Sequence, residues 1–235
     1  MKYSIIIPCY NEEENLQNLV DAILPLTDRA EFVLVENGSK DGSRRFFRES
    51  IENRYENIVC AYVDVNQGYG YGLQQGILAS GGEYVGWIHA DLQIPPESLL
   101  AFFDRLDDSG TKNILLKGSR QNRPLFDRFF TAGQAVFNSL LFKEKLSDIG
   151  AIPVLFPKKL AEETGIDNMP NDFSIELFVY HEAVKRGFRV ERIKVTMRDR
   201  EHGSSSWSGG IKSKIRQSKR IFRDSIKISR GEKVL

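Results

Sequence analysis

The chain has little cysteine: Cys9 and Cys60 are the only two in 235 residues. Two thiols make no disulfide framework, and their scarcity suits a reducing cytosol. Long apolar runs are missing too. None approaches the ~18–20 residues that span a bilayer, so no transmembrane helix is expected. Neither sign of charge dominates, since 33 Lys and Arg against 32 Asp and Glu leave a net charge of +1. Bulk charge therefore gives no case for nucleic acid as a partner. No signal-peptide pattern opens the chain, because Tyr3-Ser4-Ile5-Ile6-Ile7 already reads as a strand. Internal repeats and low-complexity segments are also missing. The loop after that first strand has no glycine, which excludes a dinucleotide fingerprint and argues against an NAD-dependent enzyme.

What remains is the composition of an ordinary soluble α/β domain, 41% hydrophobic and 28% charged. Strand and helix patterns alternate through the first half. Strands are expected at 4–7, 31–35, 58–63, 84–89 and 114–117, and helices at 12–24, 43–51, 71–79 and 96–106. That order implies a Rossmann-like, mostly parallel central sheet flanked by helices, with right-handed crossovers. The second half is less regular: helices at 125–142, 158–164 and 173–186, strands at 152–156 and 189–196, and a polar Gly/Ser-rich loop over 198–210. A basic amphipathic helix over 211–228 closes the chain. One domain over 1–207 with an extension over 208–235 is the expected organisation.

Polar clusters fall where strands end. The first strand runs into Pro8-Cys9-Tyr10-Asn11-Glu12-Glu13, and the second into Val35-Glu36-Asn37-Gly38-Ser39-Lys40-Asp41-Gly42. The fourth runs into His89-Ala90-Asp91-Leu92-Gln93 before Pro95-Pro96. Side-chain alternation along an extended segment would put His89, Asp91 and Gln93 on one side. The carboxyl edge of an open α/β sheet is where ligands bind. Asn-Gly-Ser and Lys-Asp-Gly are also ordinary turn residues, and Asn11 or Ser39 could simply cap helices; three coincident polar edges weigh against that reading. After the third strand, Asn66-Gln67-Gly68-Tyr69-Gly70-Tyr71-Gly72 opens a helix, where glycines admit a ligand close to backbone and the helix N-terminus favours anions.

The ordered set Ile-Ile-Pro-Cys-Tyr-Asn-Glu-Glu, Val-Glu-Asn-Gly-Ser-Lys-Asp-Gly-Ser, Asn-Gln-Gly-Tyr-Gly and His-Ala-Asp-Leu-Gln resembles family-2 glycosyltransferases of the GT-A fold. Within them it is most similar to the dolichyl/polyprenyl-phosphate sugar synthase branch, over roughly residues 3–207 and most strongly to about 120. The resemblance implies roles residue by residue. Pro8, Tyr10, Asn11 and Glu12, with Val35, Glu36 and Asn37, would hold the nucleotide. Gly68, His89, Ala90 and Asp91 would line the donor site. Asp91 matches the metal-binding aspartate of the DxD motif, Gln93 a further metal ligand, and His89 stands at the motif's first aspartate. Arg120 matches an arginine near the donor, and Arg200 the arginine of a loop that closes on the diphosphate. The implied cofactor is Mn²⁺ or Mg²⁺, the donor a UDP- or GDP-sugar, and the acceptor a polyprenyl-linked lipid or a glycan.

Three departures stand out. His89 replaces an aspartate, and histidine suits Mn²⁺ better than Mg²⁺ because hard cations prefer oxygen. Ser206 stands where the family often has lysine. Asp148-Ile149-Gly150-Ala151 replaces Asp-x-x-Ser-Gly. A hydroxyl acceptor would need a general base, for which Asp172 is the first candidate and Asp148 the second. Asp172 is equally a natural N-cap ahead of Phe-Ser-Ile-Glu. A phosphate acceptor needs no base.

From Lys212 to Arg230 there are eight basic residues and one acidic, Asp224. Ile211, Ile215, Phe222 and Ile226 share a helical face, a pattern that suits an anionic membrane surface or a helix packed on its own domain. The expectation is an inverting, metal-dependent glycosyltransferase of cell-surface polysaccharide or lipid-linked glycan assembly, cytoplasmic and peripheral on the inner face of the membrane. The alternative is a catalytically impaired GT-A-like protein that binds nucleotide or membrane as a partner.

Overall fold

The computed structural model describes residues 1–121, 125–198, 210–232 and 234, and side chains outside 120–132 and 210–219. Seven strands form one sheet in the order β3-β2-β1-β4-β6-β5-β7. They are β1 (Tyr3–Cys9), β2 (Ala30–Asn37), β3 (Ile58–Val63), β4 (Tyr84–Trp87), β5 (Ile114–Gln121), β6 (Val154–Pro157) and β7 (Arg189–Thr196). Neighbours run parallel except β6, which is antiparallel to both β4 and β5. The mostly parallel sheet expected from the sequence is thus present, with one reversed strand inside it. Isoleucines 5, 6 and 7 are fully buried, as a central strand covered on both faces requires.

The helices are α1 (Leu16–Ile23), α2 (Ser43–Phe46), α3 (Tyr69–Ala79), α4 (Leu99–Asp107), α5 (Leu125–Phe142), α6 (Lys158–Thr164), α7 (Ile175–Lys185) and α8 (Gly210–Ser229). Helix α3 lies close on the sheet because Gly76 faces the Ile6 and Val35 side chains, and a Cβ there would overlap Ile6 Cγ2. The helix expected over 43–51 divides into α2 and a π-helical turn, Phe47–Ile51. Helix α1 starts at Leu16, four residues later than the apolar spacing suggests. Glu12 instead closes a turn, accepting the Asn15 backbone N–H at 2.8 Å and its amide Nδ2 at 2.5 Å.

Two strand ends differ in ways that bear on function. β5 runs to Gln121, beyond the expected end at 117, paired residue by residue with β7; Gly118 is needed where the strand passes against the Ile152 carbonyl. β4 stops at Trp87. Ile88 still donates to Ile6 O at 3.3 Å, after which the chain turns and Leu92 takes φ 57°. The expected strand alternation over His89, Asp91 and Gln93 does not occur.

Helix α8 packs by its second half. Asp224 and Ser225 are fully buried and Ile228 nearly so, a face distinct from the Ile211–Ile226 stripe. On that other stripe Phe222 meets Phe137 of α5 edge-on at 4.6 Å, while Ile226 remains 37% exposed. Among the described residues no helix is long and apolar enough to cross a membrane.

Candidate functional site

The ends of β1 and β2 are knitted together by their own polar residues. Asn11 takes φ 55°, its N–H donates to Ser39 Oγ at 3.1 Å, and its Oδ1 accepts Lys40 N–H at 2.8 Å. Glu12 N–H donates to Ser43 Oγ at 3.0 Å, and Asp41 accepts the N–H groups of both Glu13 and Ser43, at 3.2 and 3.0 Å. Tyr10 stands 40% exposed above this frame, with Pro8 half-buried behind it. Val35 is fully buried, as is Glu36, whose carboxylate is taken up by Ser39 N–H and by Arg44 Nε, both at 2.6 Å. Asn37 donates to Gly68 O at 3.1 Å, and its buried Oδ1 has no partner among the described residues. Of the residues assigned to the nucleotide, Tyr10 and Asn11 face solvent while Glu36 and Asn37 shape the loops beneath.

His89 and Asp91 come together through the turn after β4. His89 Nδ1 lies 4.0 Å from Asp91 Oδ2, and Asp91 Oδ1 accepts the Gln93 N–H at 3.1 Å. Asp91 is 5% exposed, Ala90 3%; His89 and Gln93 are half-buried. The backbone of Gln93 accepts Arg198 N–H at 2.7 Å, and Arg198 Nη2 pairs with Glu97 at 2.8 Å. The chain leaving β7 is thereby tied to the turn that carries Asp91. Arg200 lies outside the described residues. Arg120 is placed by its backbone alone, opposite Val195 in the β5–β7 ladder.

No three His, Cys, Asp or Glu converge among the described residues. One carboxylate with an imidazole beside it and an amide two residues on fits a divalent ion that draws its other ligands from phosphates and water, as Mg²⁺ sites commonly do.

The Asp172 segment reaches this turn through aromatic rings. Tyr69, at the start of α3, stacks on Phe173 at 4.7 Å and meets His89 edge-on at 5.4 Å. Gly68, at φ 121°, and Gly70 let α3 press against residues 170–172, where a Cβ at either would overlap a carbonyl oxygen. Asp172 makes the turn ahead of α7, accepting Ser174 N–H at 2.8 Å, and its other oxygen lies 2.5 Å from Arg220 Nε of α8. The N-cap of α7 is Ser174 rather than Asp172; Asp172 instead closes the turn before it, in a segment that lies beside the His89–Asp91 turn. Asp148 lies toward β6, at φ 36°, its carbonyl accepting Arg192 Nη1 at 3.2 Å.

Sequence reasoning missed a charged group below these residues. Glu176, 5% exposed, accepts Trp87 Nε1 at 2.6 Å and Lys117 Nζ at 3.2 Å. Burial drives the Lys117 ammonium below the ordinary lysine range, opposed by Glu176 and reinforced by Arg192. Burial, with the nearby charges of Glu176 and Asp91, holds the Tyr69 phenol well above its usual value. A lysine inside the apolar run Ile-Leu-Leu-Lys was the visible signal, since an unpaired charge is not tolerated there.

Residues 4–153 match the model of glycosyl transferase family 2. An undecaprenyl-phosphate 4-deoxy-4-formamido-L-arabinose transferase of Proteus mirabilis is 25% identical over 214 residues, covering 88% of this chain and 63% of its own length. The transferase of the same name from Yersinia pestis is 33% identical over 102 residues, 42% of this chain and 31% of its own. The chain thus spans less than two thirds of the curated relatives it matches. Among solved structures, glucosyl-3-phosphoglycerate synthase of Mycobacterium tuberculosis, in complex with Mn²⁺, UDP and phosphoglyceric acid, superposes with a TM-score of 0.70 at 18% identity. It covers 96% of this chain and 78% of that one. That likeness supports the GT-A architecture of the sheet and its flanking helices. With the family model spanning most of the sheet and the strand-end motifs in order along it, the chain belongs to glycosyl transferase family 2.

Proposed function

We propose that the protein transfers a sugar from a nucleotide-diphosphate sugar to a lipid-linked acceptor, with inversion at the anomeric carbon. The observation that carries this reading is the meeting at one sheet edge of Asp91, His89 and, through Tyr69 and Phe173, the Asp172 segment. Tyr10 and Asn11 would receive the nucleoside. Asp91, with His89 and Gln93, would hold Mn²⁺ or Mg²⁺, which when bound offsets the charge gathering on the leaving diphosphate. Arg120, Arg198 and Arg200 would add positive charge. Asp172 would accept the proton of a hydroxyl acceptor; a polyprenyl phosphate is already anionic and needs no base. The names of the relatives in Proteus and Yersinia favour such a phosphate, and the Mn²⁺ and UDP bound by the mycobacterial synthase favour a uridine donor. The basic helix α8 would rest on an anionic membrane surface.

Isothermal titration with UDP and GDP, each with and without Mn²⁺, tests this directly. Binding of one nucleotide that strengthens with Mn²⁺ is expected, and loss of donor hydrolysis in Asp91→Ala. Absence of binding to either nucleotide would refute the reading. A second reading, a nucleotide-binding partner without turnover, is favoured by the single carboxylate of the turn. It predicts nucleotide binding with no donor hydrolysis.

A further inference from the structure

One buried carboxylate links three of the elements that carry candidate site residues, β4, β5 and α7. Glu176 holds Trp87, the last residue of β4, four positions before Asp91. It holds Lys117 of β5, three positions before Arg120. It lies on α7 one helical turn after Asp172. Between Glu176 and the His89–Asp91 turn sits Tyr69, whose buried phenol interacts with Glu176 and whose ring packs edge-to-face with that of His89.

Hydrophobic packing alone does not call for such a group. A buried ion pair is weak support for stability, and apolar replacements of similar volume are often neutral or better. The Trp87 indole N–H, in contrast, needs an acceptor wherever it is buried, and Trp87 is fully buried. Lys117 faces Glu176, Arg192 and Asp148 as its charged neighbours, with the Tyr180 ring at 5.7 Å, so Glu176 is the close partner that fixes it. Its hold in turn fixes which carboxylate oxygen meets the indole.

Resting on the donor-site reading above, we propose that Glu176 and Lys117 are positioning residues for the divalent cation: they fix Trp87, and through it the turn that presents His89 and Asp91, without touching cation or donor. Partners of this outer kind typically change metal affinity by 10–100-fold when lost.

The test is Mn²⁺ binding to the full chain, read from the electron paramagnetic resonance of free Mn²⁺ in the presence of UDP, with thermal unfolding followed in parallel. The double variant Lys117→Met with Glu176→Leu should fold and bind Mn²⁺ about tenfold more weakly, because the indole has lost its acceptor. Lys117→Met with Glu176→Gln restores an acceptor without an unpaired charge, and should bind within about twofold of the wild type. Wild-type affinity in the Leu/Met variant would overturn the proposal. Should that variant not fold, Trp87→Phe, with Glu176 and Lys117 intact, should show the same tenfold loss; unchanged affinity there overturns it equally. A wild type that binds no Mn²⁺ even with UDP would bring down the donor-site reading itself, and this proposal with it.

Discussion

Gly70→Ala is the sharpest structural perturbation at the candidate site. A methyl there would overlap Pro170 O and stand 2.7 Å from Asp172 O and 2.8 Å from the Asn171 carbonyl carbon. All three are backbone atoms, so no side-chain rotation relieves the overlap. Ordinary C···O contacts begin near ~3.3 Å, which asks the 170–172 segment to retreat on the order of 1 Å. It cannot do so freely. Tyr71 N–H donates to Asn171 O at 3.1 Å, and Gln74 Nε2 reaches Met169 O, Pro170 O and Asn171 Oδ1 at 2.9, 3.2 and 3.0 Å. Overpacking of this kind costs about 1–3 kcal/mol, and the gain in helix propensity returns up to about 1 kcal/mol. The net is a destabilisation between roughly 0 and 3 kcal/mol, a fall of up to about 10 °C in Tm for a chain of this size. Turnover should suffer more, because a misplacement of about 1 Å at a reacting group can cost on the order of 100-fold. Donor hydrolysis and thermal unfolding measured on the same preparation separate the two effects. Gly133→Ala in α5, with nothing among the described residues within 4 Å of the new Cβ, should gain about 0.5–1 kcal/mol and leave hydrolysis unchanged. Normal hydrolysis in a folded Gly70→Ala protein would refute a role for the Asp172 segment.

Two further outcomes follow from the loops and the tail. Burial pushes the Asp41 carboxyl up, but hydrogen bonds from Ser43 and from the Ser43 and Glu13 backbone outweigh it and hold the group below the ordinary aspartate range. A lowered folded pKa contributes stability that is present above the unfolded value, about 3.9, and is lost as pH falls through the folded one. Asp41→Asn should therefore lower Tm at pH 7, with the gap to the wild type closing as pH falls below the ordinary aspartate range; a constant difference would show that the charge is not what stabilises the loops. Arg220 is half exposed, so Arg220→Ala should cost under about 1 kcal/mol. If the ion pair orients Asp172, transfer to a hydroxyl acceptor should still drop about tenfold, measured with Tm on one sample.

Much of the fold was legible because apolar strands and spaced helices announce themselves: β3, α5, α6 and β7 fall where the sequence placed them. The strand expected at 152–156 is present as β6, but its reversed direction was not legible, since a short apolar run such as Val-Leu-Phe-Pro looks the same in either direction and its partners lie far away in sequence. At the site, the strand-end clusters were readable as chemistry, but their division of labour was not. Glu36 spells a ligand contact and is spent on Arg44 and Ser39. Glu176 falls inside the expected helix at 173–186 and Lys117 at the end of the expected strand at 114–117, and only the pairing of β5 with β6 and β7, with α7 laid across them, brings the two charges together. The stripe of Ile211, Ile215, Phe222 and Ile226 was visible, whereas the face that fixes α8 was hidden because its centre is a charged residue, Asp224, fully buried against Ser174.

The positive φ of Leu92 carries a consequence for how this site can vary. A branched, bulky side chain is seldom found at φ 57°, so the surrounding packing must hold the turn in place. Where a strand's pleat sets the spacing of two ligands, changing one disturbs the other through a shared ladder. Here the ladder has already ended at Trp87, and Asp91 is fixed by its own turn through the Gln93 N–H. Position 89 precedes that turn and packs against Tyr69, so a change of residue type there need not move Asp91. A histidine at position 89 can arise without dismantling the turn that fixes Asp91, and if these residues hold the cation as proposed, its identity would be open to retuning by one side chain.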